Sequence, residues 1–345
     1  MKILITGGCG FVGSSLAKHF KTRYPSYEIT VLDNLYRKGS ELNIEPLEKM
    51  GITFIKGDVR FYDDLKDLDF DLLIEASAEP SVMAGKGADR RYLIDTNFNG
   101  LINCLDAALE KEAPVIFIST SRVYPMSVIN SLKYIVTEDR YDVASCNTAG
   151  VSENGFTEKL SLDGARSLYG TTKLAGEMMI TEYIETLGLK AIVNRSGLIA
   201  GAGQFGKTDQ GVITHWAASY IYDKKLAIFG NGKQVRDILH VKDLIRLIDM
   251  QIHDIDKFAG ETFNVGGGLD NSLSIRELDD LCKKHICDKK VPTKPIRELD
   301  LKYYVTDNNK IAHYGWMPEI SAEETLIDIA NWIKDNKEDL RWIFV

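Results

Sequence analysis

Tyr169 and Lys173 stand four residues apart in SLYGTTKLAGEMM, residues 167–179. In a helix that spacing is about one turn, so the phenol and the ammonium share a face. A phenol ionises near pH 10 and is a weak base at neutral pH. A neighbouring cation favours the phenolate. Such a pair could take a proton from a carbinol while hydride leaves the carbon, and return it later. The same spacing also occurs on solvated helix surfaces, so the surrounding chain has to decide. Upstream, ISTSRVY (118–124) ends a strand-like run in hydroxyls, with Ser119, Thr120 and Ser121 in a row. Those hydroxyls could orient a reacting oxygen, or cap their own backbone.

A second constellation lies at the N-terminus. ITGGCGFVG (5–13) places Gly7, Gly10 and Gly13 at three-residue intervals directly after a strand-like run and ahead of a helical one. That context suits a tight turn, a close backbone approach to a pyrophosphate and close helix–strand packing. The helix starting near Phe11 and Val12 would offer free N–H groups and a positive dipole end to the phosphates. Asp33, at the end of the next strand-like run, could accept both ribose hydroxyls of an adenosine and would repel a 2′-phosphate, which favours NAD over NADP. Arg37 and Lys38 lie close to it in the chain. Asp58 and Val59 close the third such run, where an adenine would lie. Asp58 could accept from its exocyclic amine, or cap its own loop.

The elements that must hold these residues alternate. KILITG (2–7), EITVLDN (28–34), ITFIKGDV (52–59), DLLIEASA (71–78), PVIFISTS (114–121) and KAIVNRS (190–196) are β-branched-rich and apolar on both faces, as buried parallel strands are. Helical patterns near 12–22, 61–67, 95–111 and 167–187 separate them. Strand–helix alternation with right-handed crossovers predicts an α/β protein with a Rossmann-like, doubly wound parallel sheet. The expected domain is 1–200, with 201–345 a smaller mixed C-terminal lobe for substrate that returns some chain to the first domain. The stretch 125–166 is long, polar and weakly periodic. Long loops in compact domains tend to be functional, so it is expected to border the substrate pocket.

Composition excludes several classes. A net charge of −8 lacks the basic stripe of a nucleic-acid binder. No 18-residue apolar run is present, so no membrane span is expected. Five cysteines (9, 104, 146, 282, 287) form no CxxC pair and are read as reduced thiols of a cytoplasmic protein. The histidines do not cluster with other ligands, and no metal is expected.

In order and spacing, TGGCGFVG, VLDN, GDV, ISTSRVY and YGTTK resemble the extended short-chain dehydrogenase/reductase family along nearly the whole chain. The resemblance implies that Thr120, Tyr169 and Lys173 are catalytic and that Lys173 also holds the nicotinamide ribose of NAD. It adds Asn34, Ala76, Ser77, Ala78, Asn97 and Ser119 to the cofactor site. Arg236 in QVRDILHVKDL and Arg297 in KPIRELD match the family's two diphosphate-binding arginines, whose planar guanidinium groups suit that anion. Gln204, Asp209 and Gln210 in GQFGKTDQG are either pocket residues or a polar turn.

The implied activity is epimerisation of a nucleotide-diphosphate sugar. The later blocks GQFGKTDQGV, GNGKQVRDILHVKDL and FNVGGGLDNSLSIREL resemble members acting at C2 of a CDP-linked hexose. Related readings are a 4-epimerase, a dehydratase and a decarboxylase. Ser121–Arg122 stand where a dehydratase carries an Asp–Glu pair. A catalytically silent NAD-binding regulator is the reading from a different class. Two departures from the family pattern stand out. Leu198 occupies a position that is often asparagine, and Glu75 leads a strand end that usually begins with histidine. The family also pairs the helices near 95–111 and 167–187 into a homodimer, for which Leu101, Ile102, Leu105, Leu174, Met178 and Met179 are candidates.

Overall fold

The computed structural model describes residues 1–85, 89–207, 210–295 and 300–345. Its main sheet has seven strands: Lys2–Thr6 (β1), Glu28–Asp33 (β2), Thr53–Lys56 (β3), Leu72–Glu75 (β4), Val115–Thr120 (β5), Ala191–Ser196 (β6) and Thr262–Val265 (β7). They lie in the order β7-β6-β5-β4-β1-β2-β3. Pairings from β3 through β2, β1 and β4 to β5 are all parallel. The order reverses direction at β1/β4, the place where doubly wound sheets bind ligands beyond the strands' carboxyl ends. The expected α/β doubly wound class is the one observed.

The chain forms two compact units. The first comprises Met1–Thr120, Leu168–Arg195 and Ile245–Thr262, and the second Ser121–Ser167, Ser196–Leu244 and Phe263–Val345. In the first unit, helices Phe11–Arg23 (α1), Gly100–Glu110 (α2) and Leu168–Leu187 (α3) cover the sheet. Its core includes Leu4, Leu73, Leu101, Leu105, Phe117 and Val193. Helices α2 and α3 meet at Gly176, where an added Cβ would come within 2.6 Å of Leu101 Cδ2. A glycine there brings the two helices close. In the second unit, Val235–His240 pairs with Leu198–Ala200 in parallel, with Ser272–Ser274 antiparallel and with Tyr303–Tyr304 in parallel. Trp216, Leu326, Ile329 and Ile333 pack in its core. Two of its helices start with a full capping box, Ser274 with Glu277 and Ser321 with Glu324, which satisfies two otherwise orphaned donors at each end.

Three local expectations need correction. The helix near 61–67 is only a 3-10 turn, Tyr62–Asp64. Asp64 turns its side chain back to accept the Asp58 N–H at 2.8 Å, and such local bonds compete with helix continuation. The helix near 95–111 is interrupted, because Asp95–Asn99 forms a π turn before α2. The stretch 125–166 is not bare loop. It holds the helix Met126–Ser131 and two small hairpins, Tyr134–Val136 with Tyr141–Val143 and Val151–Ser152 with Gly155–Phe156.

Candidate active site

The first unit brings Thr120, Tyr169 and Lys173 into one part of the structure. Thr120 is the last residue of β5, and Tyr169 and Lys173 lie one turn apart on α3. All three are buried, Thr120 and Tyr169 at 8% exposure and Lys173 at 2%. The Lys173 Nζ sits 4.2 Å from the centroid of the Phe117 ring, a cation–π contact made from β5. Glu75, at the end of β4, lies against it as well, with Oε2 3.5 Å from Nζ. Glu75 is itself buried, and the Ser77 hydroxyl donates to its Oε1. The sequence marks Glu75 only as a departure from a family pattern. Its signal was a carboxylate at the carboxyl end of a parallel strand, where an uncharged residue costs less.

The glycine turn has the shape a dinucleotide phosphate needs. Gly7 has φ +64°, and a Cβ there would lie 2.7 Å from the Ala76 carbonyl and 2.8 Å from Ser77 Cα. At Gly13 a Cβ would lie 2.4 Å from the Gly7 carbonyl. Gly10 is the N-cap of α1 and gives no side-chain cap bond, so the N-cap satisfies none of the first-turn N–H groups of Phe11, Val12 and Gly13. Ala76 and Ser77 form the floor against Gly7, and the Ala76 N–H donates to the Thr6 carbonyl at 3.3 Å. Asp33 holds the turn from the β2 end, accepting from Cys9 N–H at 3.0 Å and Leu35 N–H at 2.8 Å. Burial pushes its carboxyl upward, against the pull of those backbone donors. Each carboxylate oxygen has a further lone pair for a ribose hydroxyl. This cradle, closed to any Cβ, fits NAD.

Other members of the candidate set have internal partners. Asp58 accepts from Arg60 Nη2 at 2.6 Å and from Asn34 Nδ2 at 2.9 Å. Burial works against its charge, but the hydrogen bonds from Arg60 and Asn34 outweigh it and hold the carboxyl below its ordinary value. The Arg60 guanidinium lies 4.8 Å from the centroid of Tyr92, whose ring packs tilted against Tyr36 with centroids 4.3 Å apart. Sequence reasoning singled out neither Arg60 nor Tyr92. Val59 packs into the core rather than presenting its side chain at a surface, and Asn103 donates to its carbonyl at 2.8 Å. The Ser119 hydroxyl donates to Glu177, whose carboxylate Arg195 grips at 2.7 and 2.9 Å. Asn97 is carried on the π turn, a form that often marks functional positions. It bonds the backbone of Glu79 and the Thr172 hydroxyl beside Lys173. Ala78 lies between those two anchored stretches.

In the second unit, Arg236 donates to Asp300 Oδ1 at 2.9 Å and to the Val235 carbonyl at 2.7 Å. Burial lowers its pKa, and Asp300 and Asp237 act in the opposite sense. Gln204 donates to the Ile199 carbonyl and accepts from Thr214, each at 2.9 Å, so its amide ties a turn together. Gln210 pairs with Lys207 through both backbone groups. Leu198 is half-buried and paired with Ile238. Asp209 and Arg297 lie outside the described residues. Among the described residues, no three potential metal ligands come together, and no helix is long and apolar enough to cross a membrane.

A doubly wound sheet with a glycine turn closed to side chains at the end of its first strand defines a Rossmann-type dinucleotide fold. A family model for NAD-dependent epimerases and dehydratases matches residues 3–266, and the chain belongs to that family. It is an NAD-dependent enzyme of the extended short-chain dehydrogenase/reductase type. A CDP-paratose 2-epimerase of Salmonella typhi is 32% identical to it, over 96% of this chain and 99% of its own. A putative UDP-glucose 4-epimerase of Methanocaldococcus jannaschii is 26% identical, over 97% and 99%. The fold is also that of a UDP-glucuronic acid 4-epimerase from Bacillus cereus, with a TM-score of 0.80 at 24% identity, covering 97% of this chain and 99% of the other.

Proposed function

We propose that this enzyme epimerises a nucleotide-diphosphate sugar at C2 of a CDP-linked hexose, turning CDP-paratose into CDP-tyvelose. The observation that carries the reading is the 32% identity to a CDP-paratose 2-epimerase along nearly the full length of both chains. The buried grouping of Thr120, Tyr169 and Lys173 supports an oxidation–reduction route. NAD, when bound, supplies the hydride acceptor and later the donor. Tyr169 takes the proton from the sugar hydroxyl and gives it back to the ketone oxygen. Lys173 stabilises the phenolate, and Thr120 hydrogen-bonds the reacting oxygen.

Inversion requires the keto sugar to turn its other face between the two half-reactions. Arg236 and Arg297 hold the diphosphate as the fixed end of that rotation. A leucine at 198, in place of a hydrogen-bonding asparagine, leaves the sugar one polar tether fewer. The enzyme works as a homodimer. Leu101 and Leu105 are core residues, so the pairing surface draws on the exposed Met178 and Leu187 of α3 and the half-buried Ile102 and Leu174.

Incubation with CDP-paratose and a panel of UDP- and other nucleotide sugars in deuterated water, followed by NMR, tests the reading. Inversion at C2 without solvent deuterium is the expected product. Inversion at C4 instead assigns a 4-epimerase, and deuterium at the carbon beside the inverted one assigns enolisation.

A further inference from the structure

We infer that Glu75 is the positioning residue that keeps the Lys173 side chain cationic and fixed on the Tyr169 face of α3. Lys173 is 2% exposed and Glu75 1% exposed, so water does little to solvate either charge. An ammonium in such a place is stable only with an anion or a good set of acceptors. The groups facing it are few. The Phe117 ring lies over Nζ at 4.2 Å from β5. Cys104, on α2, is close enough to feel both charges, and burial pushes its thiol well up, so it stays neutral. Glu177, one turn further along α3, is committed to Arg195 and Ser119. Among the described residues, Glu75 at 3.5 Å is the carboxylate paired with the ammonium.

The carboxylate is itself fixed. Ser77 donates to its Oε1, which leaves Oε2 for Lys173, and the Ser77 Oγ is 3.3 Å from Thr6 Oγ1. Thr6, Glu75 and Ser77 stand on β1, on β4 and just past β4, so two central strands of the sheet set the position of the lysine. Without the carboxylate, burial favours the neutral amine. A neutral Lys173 no longer supports the Tyr169 phenolate. The placement turns the family's usual histidine position into a charge anchor.

The inference rests on Tyr169 as the proton carrier, but its test needs no sugar. Ring-labelled ¹³Cζ-tyrosine NMR of the enzyme as purified, with its own NAD, follows phenol ionisation against pH. The Tyr169 resonance is assigned by its loss in Tyr169→Phe. In Glu75→Gln the Tyr169 ionisation moves to higher pH by about one unit or more. In Glu75→Asp, whose shorter side chain withdraws the carboxylate from Nζ, it moves the same way by less. Should Glu75→Gln not fold, Glu75→Asp alone decides. An unchanged Tyr169 ionisation in a folded variant, or a move to lower pH, overturns the inference. A failed epimerase assay leaves this titration intact, so loss of the substrate reading and loss of the Glu75 role are distinguishable.

Discussion

Asn97 brackets the peptide of Glu79. Its Oδ1 accepts the Glu79 N–H at 2.8 Å, and its Nδ2 donates to the Glu79 carbonyl at 3.1 Å. A third bond, to Thr172 Oγ1 at 3.2 Å, reaches α3 next to Lys173. One buried amide thus links the loop after β4, the π turn and the helix that carries the proposed base. Asn97→Ala removes its bonds to the half-buried Glu79 peptide and to Thr172, at about 0.5–1.5 kcal/mol for each. Urea denaturation of the variant is expected to show a loss of that order. A loss below roughly 0.5 kcal/mol, the scale of an ordinary surface change, contradicts it.

Tight NAD retention is the second expectation, since an epimerase releasing its reduced cofactor between half-reactions would strand the keto sugar. Protein purified without added nucleotide should release nicotinamide nucleotide on denaturation. Gly13→Ala should release little, because its Cβ would fall 2.4 Å from the Gly7 carbonyl and close the turn. Full NAD content in that variant would contradict the role given to the turn.

Tyr169→Phe should lower turnover by about a thousandfold or more, within the range that general acid–base catalysis supplies together with positioning, while NAD stays bound. A variant with near-normal activity removes Tyr169 from the chemistry.

The Asp58–Arg60 pair should appear in the acid limb of stability. The Asp58 carboxyl is held below its ordinary value. Its contribution is therefore complete above the unfolded carboxylate value of about 3.9 and fades as pH falls through the lower folded value. Denaturation curves taken from pH 6 down to 3 should fall less steeply at the acid end in Arg60→Leu than in the parent. Equal slopes would mean that the pair contributes nothing measurable.

Arg236→Lys keeps the charge but loses the planar fork. The expected result, once a substrate is in hand, is a KM raised by roughly tenfold, about 1.4 kcal/mol, with kcat little changed. An unaltered KM removes Arg236 from diphosphate binding.

What the sequence made legible follows its periodicity. The strands from β1 to β6 and the helices α1 and α3 were readable because their apolar runs and glycine punctuation repeat over many residues. Gly7 and Gly13 were readable because a close backbone approach admits few residue types. Glu75 and Tyr92 were not, because their contacts with Lys173 and with Arg60 and Tyr36 join residues far apart in the chain, which no local pattern records. The π turn at Asp95–Asn99 was hidden for a related reason. A one-residue widening of a helix leaves the apolar spacing nearly intact while re-aiming Asn97. At Val59 and Ser119 the side chains turn inward, to the core and to Glu177, which no local pattern announces.

The division of the chain has a consequence during synthesis. The first unit draws its segments from residues 1–120, 168–195 and 245–262, and β6 follows β5 only after the whole excursion through Ser121–Ser167. While the ribosome makes that excursion, the nascent sheet ends at β5, whose VIFIST backbone is an open, apolar edge of the kind that recruits other strands. At about 5–20 residues per second the exposure lasts several seconds. The interval before residue 191 is therefore one in which newly made chains present a strand edge to other chains or to chaperones, and a slow codon run there would lengthen it.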